Sequence, residues 1–572
     1  MLQKNIKNLL VFFVIFTIAI FLRFYDLSNT PVSLTIDEIG NGYNAFSLLK
    51  TGKDEWGIKL PPYFRSTGDY DAPVMIYLMV PSVWAFGLSE FSVRFSQALL
   101  SLLITPLIFL ISRKYIFRDK SIILSFAATL FYATSQWNII FSRSGFEAIV
   151  ALFFVTLNIY FLFRSIEKKN PLNFYLALVF AYIATIAYSS NKIFTPLVNL
   201  LFFIINWQSI VEIFKTEISS KKWRFILLSV IFLVLAVVFA KLWIFGPGAV
   251  RAKMVFFTGD FEFKRALLEK LDEAGLNILG LPMLIFFWIK RFLEYFSLNF
   301  YVIDGLGLTI PGHPGSGVLN MALYPLFLIG LISLLIPGKN KHFERIKIFL
   351  LGWLIIGFLP ATLANNPQHA LRTLNSSTPA ILIATLGLSF VFDFLNKKSR
   401  KVALIFLGAF ILFFCLDFVR FIDYYTVHYP YELSETRHYG WKEMAIYARD
   451  HHSEYDNVYV DPRFGSEGRT NYGVPYSYFQ FYSQYDPHTF HIFPGRDKFI
   501  SDFENYHFME IDFNQMGEIK GNNLYIASPW SFPDSMINKE HIVYEVKFLN
   551  GVTAFYAITN KPADQEADII DL

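Results

Sequence analysis

Two adjacent carboxylates, Asp37 and Glu38, stand in SLTIDEIGNGYNAFSLL shortly after the first long apolar run of the chain. Beside an apolar face, such a pair can supply a general base together with an orienting or metal-binding group, because desolvation raises a carboxylate's basicity. The same text also fits Asp37 as the cap of the helix that follows. A second constellation is FSRSGFEA (141–148), which sets Arg143 and Glu147 at helical spacing. On one helix face they would form an exposed ion pair of about 0.3–0.5 kcal/mol, or Arg143 would meet a phosphate while Glu147 meets a sugar or a metal. Further basic groups follow: Lys192 in YSSNKIF, His313 in IPGHPG, and His369 with Arg372 in NNPQHALRTL. Each can anchor at a membrane interface; Arg372, beside Asn365, Asn366 and His369, is best placed to meet a lipid phosphate. No cluster has structural zinc spacing, and carboxylates such as Asp37 and Glu147 would accept Mg²⁺ or Mn²⁺ without demanding either.

What must position these groups is a membrane. Of 572 residues 54% are hydrophobic, and mean hydropathy is +0.40, well outside the range of soluble domains. Apolar runs of roughly 16 to 22 residues recur from Asn8 to Phe421, near the length that crosses ~30 Å of hydrocarbon. The net charge of +4 has no clustered basic face, which excludes a nucleic-acid partner. Cys415 is the single cysteine, so no internal disulfide or cysteine metal site can form. Lys4 and Lys7 precede an apolar stretch that ends at Arg23 without a small-x-small cleavage site, which predicts an uncleaved first membrane helix.

Short basic connections set the orientation, because cytoplasmic loops retain Lys and Arg. They are RKYIFRDK (113–120), 164–169, 215–224, 339–347 and NKKSRK (396–401). Spans are predicted at 8–25, 93–112, 121–136, 146–163, 174–188, 193–207, 224–244, 319–336, 346–363, 374–395 and 402–421. That is about eleven by the length criterion, so the N-terminus lies in the cytoplasm and the C-terminal part outside. Val74 to Phe86 is too short to span and is broken by Pro81, so it is read as a helix on the outer surface. Ile278 to Ile289, followed by Lys290 and Arg291, reads as another interfacial segment. Two long outer loops result, 26–92 and 245–318, and loops of such length are usually functional. The glycine-rich GLGLTIPGHPGSG (305–317) in the second lacks the GK[ST] ending of a phosphate-binding loop.

Beyond Phe421 the composition turns polar and aromatic, with strand-like runs NVYVD (457–461), NLYIA (523–527), HIVYEVKFL (541–549) and TAFYAI (553–558). The predicted architecture is an α-helical polytopic membrane protein, residues 1–421 forming the membrane catalytic domain and 422–572 an extracytoplasmic soluble α/β or α+β domain. Only the tail after Pro562 reads as disordered.

Few ionisable residues fall at mid-span: Lys241, Asp393, Asp417 and Arg420 all lie near predicted ends. Ion-coupled transporters usually keep charges at membrane depth, which weakens a transporter reading.

The chain resembles the GT-C superfamily of membrane glycosyltransferases, and within it the family 39 enzymes that include protein O-mannosyltransferases and the lipid A aminoarabinose transferase. The carrying text is IDEIGNGYNAFSLLKTGKDEWGIKLPPYF, GDYDAPVMIYLMVPSVWAFGLSEFSVRFSQAL, SQWNIIFSRSGFEA, YFSLNFYVIDG, PGHPGSGVLN and HALR, within residues 1–420. This resemblance implies a catalytic aspartate at Asp37, with Glu38 beside it and an acidic partner at Glu147. It implies a polyprenyl-phosphate-linked sugar as donor and a protein, lipid or glycan as acceptor. Family members carry a basic residue before the proline that ends the first outer loop, where this chain has Asp71-Ala72-Pro73.

The resulting expectation is an inverting transfer at the outer face of the cell membrane. Asp37 takes the acceptor's proton, and Arg143, Lys192, His313, His369 and Arg372 meet the donor phosphate. The rivals are a lipid or polysaccharide transporter, and a non-catalytic scaffold that displays the C-terminal domain. A scaffold would not need carboxylates in its first outer loop.

Overall fold

The structure is a computed structural model that describes residues 2–65, 70–246, 270–273, 275, 279–307, 315–338, 340–364, 368–465, 471–492, 502–513, 520–533, 535, 537–538 and 540–560. His313, Asn365, Asn366, part of the second long outer loop (247–269, 274, 276–278 and 308–314) and the tail after Pro562 lie outside these residues. The chain forms two compact units. One comprises Met1–Tyr25, Ala72–Met75 and Gln97–Ile422, and the other Asp26–Asp71, Ile76–Ser96 and Asp423–Leu572.

Among the described residues, eight helices are long and apolar enough to cross a bilayer: Ile6–Phe24, Glu90–Ile116, Glu147–Lys168, Asn191–Lys215, Lys222–Leu242, Lys341–Thr362, Leu374–Lys398 and Arg400–Leu433. The remaining predicted spans fall on shorter apolar helices, Ile122–Ala133, Pro171–Ala187 and Leu323–Leu335. The first of these stops short of residue 136 because Ser135 caps a separate helix, Gln136–Ser142, its side chain accepting from the Asn138 amide. Pro73–Phe86 is a helix of 14 residues with Pro81 inside it, short of a bilayer crossing.

Burial separates interior from rim. About two thirds of the apolar window is buried in Glu90–Ile116, Glu147–Lys168, Lys341–Thr362 and Leu374–Lys398, but none of it in Lys222–Leu242. Trp223, Leu233 and Val237 on that last helix are exposed, as are Phe13 and Leu9 near the N-terminus. A continuous apolar surface of this kind is stable only against lipid.

The helical run Asn191–Phe239 takes in the predicted connection at 215–224 and is folded back on itself there. The Tyr175 ring lies 6.1 Å from Phe214 and 6.2 Å from Phe232. Along a straight helix those two phenylalanines would stand ~27 Å apart at 1.5 Å per residue. Phe214 and Phe225 also meet, at 5.7 Å, so the chain reverses between the two apolar arms.

Some buried polar side chains join neighbouring helices of this unit. Asn158 donates to the Ala177 carbonyl (2.8 Å) and exchanges hydrogen bonds of 3.1 Å with Asn199, joining three consecutive helices. Arg23, fully buried, donates from Nε to Ser101 Oγ and from Nη1 to the Ala133 carbonyl, each at 2.9 Å.

Leu323–Leu335 and Ser377–Lys398 approach through Gly330 and Gly387. A Cβ on Gly387 would stand 1.9 Å from the Leu326 carbonyl oxygen, so the backbones can meet only because the residue has none. Gly387→Ala is therefore expected to cost about 1–3 kcal/mol in thermal unfolding of the detergent-solubilised protein. Gly408→Ala, where nothing lies within 4 Å of the added carbon, is the near-neutral control. Equal stability of the two variants would contradict the close approach.

The second unit is built on a five-stranded mixed sheet in the order Tyr506–Phe508, Asn457–Val460, Asn523–Ala527, Thr553–Thr559, Ile542–Lys547. The first three run parallel and the last three antiparallel, sharing Asn523–Ala527. All four strand-like runs read from the sequence are strands. Asn523–Ala527 is buried at every position, as expected of a central strand covered on both faces, whereas Asn457–Val460 buries Val458 and Val460 in alternation.

Candidate active site

In the second unit, Asp37 and Glu38 open the helix Ile36–Thr51. The cap is Thr35, not Asp37. Thr35 Oγ1 accepts from the Glu38 amide (3.3 Å) and Glu38 Oε2 accepts from the Thr35 amide (2.9 Å), a complete capping box. Neighbouring side chains on a helix point in different directions, and here the two carboxylates part company. Asp37 is exposed, whereas Glu38 is fully buried. Glu38 Oε1 accepts from Arg94 Nε at 2.9 Å, and neither side chain has any exposure. Burial pushes the Glu38 carboxyl up, but the charge and hydrogen bond of Arg94 outweigh it and hold the group below its ordinary range.

Arg94 does more than neutralise Glu38. Its remaining nitrogens donate to the carbonyls of Leu27 (3.1 Å), Ser28 (3.3 Å), Pro31 (2.9 Å) and Ser33 (2.6 Å). One guanidinium thus fixes the irregular backbone 27–33 and the first turn that carries Asp37. The other face of this loop rests on the C-terminal part of the chain. Tyr478 Oη donates to the Leu34 carbonyl (3.0 Å) and Tyr43 Oη to the Tyr485 carbonyl (2.9 Å). Gly42 lies where a Cβ would strike Val93 and Phe481 at 2.6 and 2.7 Å. Lys442 pairs with Glu90 at 2.6 Å, and His491 Nε2 contacts the Asp54 carbonyl oxygen at 2.6 Å. Residues 26–71 and 76–96, grouped with the membrane part by hydropathy, therefore form one compact body with the sheet.

In the first unit, Arg143 and Glu147 are not four residues apart on one helix. Arg143 is the C-cap of Gln136–Ser142, and Glu147 begins Glu147–Lys168 after the intervening Ser144-Gly145-Phe146. The glycine and the extended Phe146 break the helical spacing that their sequence positions suggest. Both are buried. Arg143 donates to the carbonyls of Leu22 (3.1 Å) and Tyr25 (2.7 Å), tying down the end of the first helix.

Lys192, His369 and Arg372 belong to segments that hydrogen bonds stitch together. Trp137 Nε1 donates to the Ala370 carbonyl (2.9 Å), Ser377 Oγ to Asn138 Oδ1 (3.3 Å) and Asn375 Nδ2 to Asn191 Oδ1 (2.7 Å). The first turn of the short helix that Arg143 caps, the first turn that carries Lys192 and the His369–Arg372 turn are thus brought together. The His369 amide donates to Tyr295 Oη at 3.1 Å. Burial pushes the Tyr295 phenol up to about 12, with the His369 amide and then the Arg372 charge pulling it the other way, which places both close to this ring.

Among the described residues, no three His, Cys, Asp or Glu side chains are grouped so as to hold a metal ion. Asp37 and Glu147 belong to different units. Sequence reasoning passed over Arg94 and Arg23, although an arginine inside an apolar run needs a partner and marks a structural or functional site.

No family model matches the chain. A stretch of 139 residues, 24% of this chain and 31% of the relative, is 32% identical to an uncharacterized protein of Aquifex aeolicus (strain VF5). Among solved structures, ArnT from Cupriavidus metallidurans in the apo state is 10% identical, with a TM-score of 0.51 over 97% of this chain and 98% of that one. The same protein bound to undecaprenyl phosphate gives 0.49 over the same shares. The archaeal oligosaccharyltransferase AglB from Archaeoglobus fulgidus, in complex with an inhibitory peptide and a dolichol-phosphate, gives 0.46 at 13% identity over 84% of this chain. This chain spans 64% of AglB's length. With ArnT matched almost end to end, the chain shares the fold of that protein, and its long apolar helices make it an integral membrane protein.

Proposed function

We propose that this protein is a glycosyltransferase that moves a sugar from a polyprenyl-phosphate donor to an acceptor at the outer face of the membrane, by inverting single displacement. The observation that carries the reading is the division of labour between the two carboxylates. Glu38 and Arg94 lock the capped turn, and Asp37 stands exposed on it, where the positive end of the helix dipole favours a negative charge. The acceptor hydroxyl or amine attacks the anomeric carbon as Asp37 takes its proton. The bond from that carbon to the phosphate oxygen breaks, and polyprenyl phosphate leaves. Arg143, Lys192, His369 and Arg372 supply positive charge for the departing phosphate, with His313 as a further candidate. Glu147 is the second acidic residue that the family resemblance implies. The donor class follows the family resemblance, and ArnT, which shares the fold, has been solved with undecaprenyl phosphate bound.

Arg372 gives a direct test of the donor end. Arg372→Ala removes a planar cation suited to bidentate phosphate contact, and is expected to raise the donor KM by about tenfold or more. Unchanged KM and kcat would remove Arg372 from the donor site.

The orientation can be checked separately. Among 113–119, Tyr115, Ile116 and Phe117 are buried, while Arg118 and Asp119 are exposed. A cysteine placed at Asp119 is expected to react with an impermeant thiol reagent only from the cytoplasmic side. Labelling from outside would reverse the assignment of both loops.

A further inference from the structure

The basic connections of the first unit meet at the end opposite to the His369–Arg372 turn. Asn340 donates to Asp119 (3.3 Å), Lys120 to Ser389 Oγ (3.1 Å), and Lys169 pairs with Glu212 (2.7 Å). Between them lies a cavity of about 570 Å³. This is the size of a small-molecule site. Its lining combines the ends of three helices with Asn206 of Asn191–Lys215. The π-helical turn Ser112–Ile116 closes one side, the last turns of Glu147–Lys168 another, and the first turns of Lys341–Thr362 the third. A π-turn widens the helix by one residue and so re-aims the side chains that follow, a device common at functional sites.

The floor and the rim differ in chemistry. Tyr115, Phe163 and Phe349 form a buried aromatic floor, with Tyr115 stacked on Phe163 at 5.0 Å and Phe349 edge-on to Phe163 at 5.4 Å. Around it stand the cations Arg113, Lys114, Arg118 and Arg345, with His342 beside them. Glu167 is the one carboxylate among the lining residues, and it already accepts from Tyr115 Oη (2.9 Å) and pairs with Lys168 (3.5 Å). Four cations thus line a hollow with one acid, which Tyr115 of the floor and Lys168 engage. A charge excess of this kind, on a rigid floor, suits a tetrahedral oxyanion with several acceptor oxygens.

We infer that this cavity is a second anion site, distinct from the donor site, that takes a phosphate group. The phosphate of an anionic phospholipid headgroup or that of a small phosphorylated solute has the required chemistry. The proposal does not depend on the transferase reading, because none of these residues is assigned to transfer.

The test uses the purified full-length chain in phosphatidylcholine nanodiscs with increasing phosphatidylglycerol, and native mass spectrometry to count retained phosphatidylglycerol. Inorganic phosphate is titrated in a parallel arm, read by thermal shift. Wild type is expected to retain phosphatidylglycerol over phosphatidylcholine, or to be stabilised by inorganic phosphate. The two arms distinguish a lipid from a solute source. At about fivefold per cation removed, R113Q/R118Q/R345Q is expected to lower the apparent affinity roughly a hundredfold, and R345Q alone about fivefold should the triple variant fold poorly. K398Q/R400Q/K401Q removes as much charge from the basic connection at 396–401 and is expected to bind as wild type does. Absence of preference for either probe, or equal loss in both triple variants, would overturn the site.

Discussion

Asp37→Asn is expected to fold and insert as the wild type does and to lose sugar transfer by ~10²-fold or more, the usual consequence of removing a general base. The cap of Ile36–Thr51 is made by Thr35 and Glu38, so the substitution leaves its hydrogen bonds in place. Asn also keeps the size and one accepting oxygen of the exposed Asp37 side chain. The loss should therefore fall on kcat, with donor KM little changed, because the proton moves in the transition state and not on binding. Near-normal turnover by a correctly inserted variant would remove Asp37 as the base. Glu38 could not simply replace it, since Arg94 and the Thr35 amide enclose its carboxylate.

The second large effect is expected at Arg94. Arg94→Ala leaves the Glu38 carboxylate buried without its partner and strands four backbone carbonyls, so a cost of about 3–5 kcal/mol is expected for the unit that carries Asp37. Removing both partners should cost less than the sum of the single losses, and a double-mutant cycle of Arg94→Ala with Glu38→Ala reads that coupling. The pH dependence has a definite sign. Because Arg94 holds Glu38 below its ordinary carboxylate value, the pair's contribution is complete above about pH 4.3 and is lost as pH falls through the depressed value. An Arg94→Ala variant with unaltered thermal unfolding and transfer would show that the bridge neither holds the loop nor positions Asp37.

Much of the fold was legible because a bilayer imposes a simple rule on length and polarity. Every predicted span coincides with an apolar helix, and even the connection at 215–224 reappears as a reversal inside one helical run. The four sheet strands were visible in β-branched and aromatic runs. The fifth, Tyr506–Phe508, has three residues in a polar, aromatic stretch and leaves no periodic signal. Local chemistry was harder to read. Asp37 looked like a cap because Asp before a helix often is one, but Thr35 with Glu38 makes the stronger box. Arg143 and Glu147 looked like one helical pair because nothing short of the Gly145-Phe146 backbone reveals the break between two helices. Arg94 was hidden inside a span boundary, and its partners lie 56 to 67 positions away in sequence, beyond any local pattern. Long-range placement of residues 26–71 against the C-terminal part of the chain rests on side chains such as Tyr478 and Tyr43, which carry no signature of their own.

The central claim is that the chain uses a polyprenyl-phosphate sugar. Its most direct test is to reconstitute the full-length protein in liposomes with a panel of polyprenyl-phosphate-linked sugars and a membrane extract as acceptor, and to measure release of polyprenyl phosphate. The account predicts release from at least one donor, matched by sugar on the acceptor with inverted anomeric configuration, and loss of both with Asp37→Asn. Folded, reconstituted protein that releases polyprenyl phosphate from none of the panel, or that releases it equally well with Asp37→Asn, would contradict it.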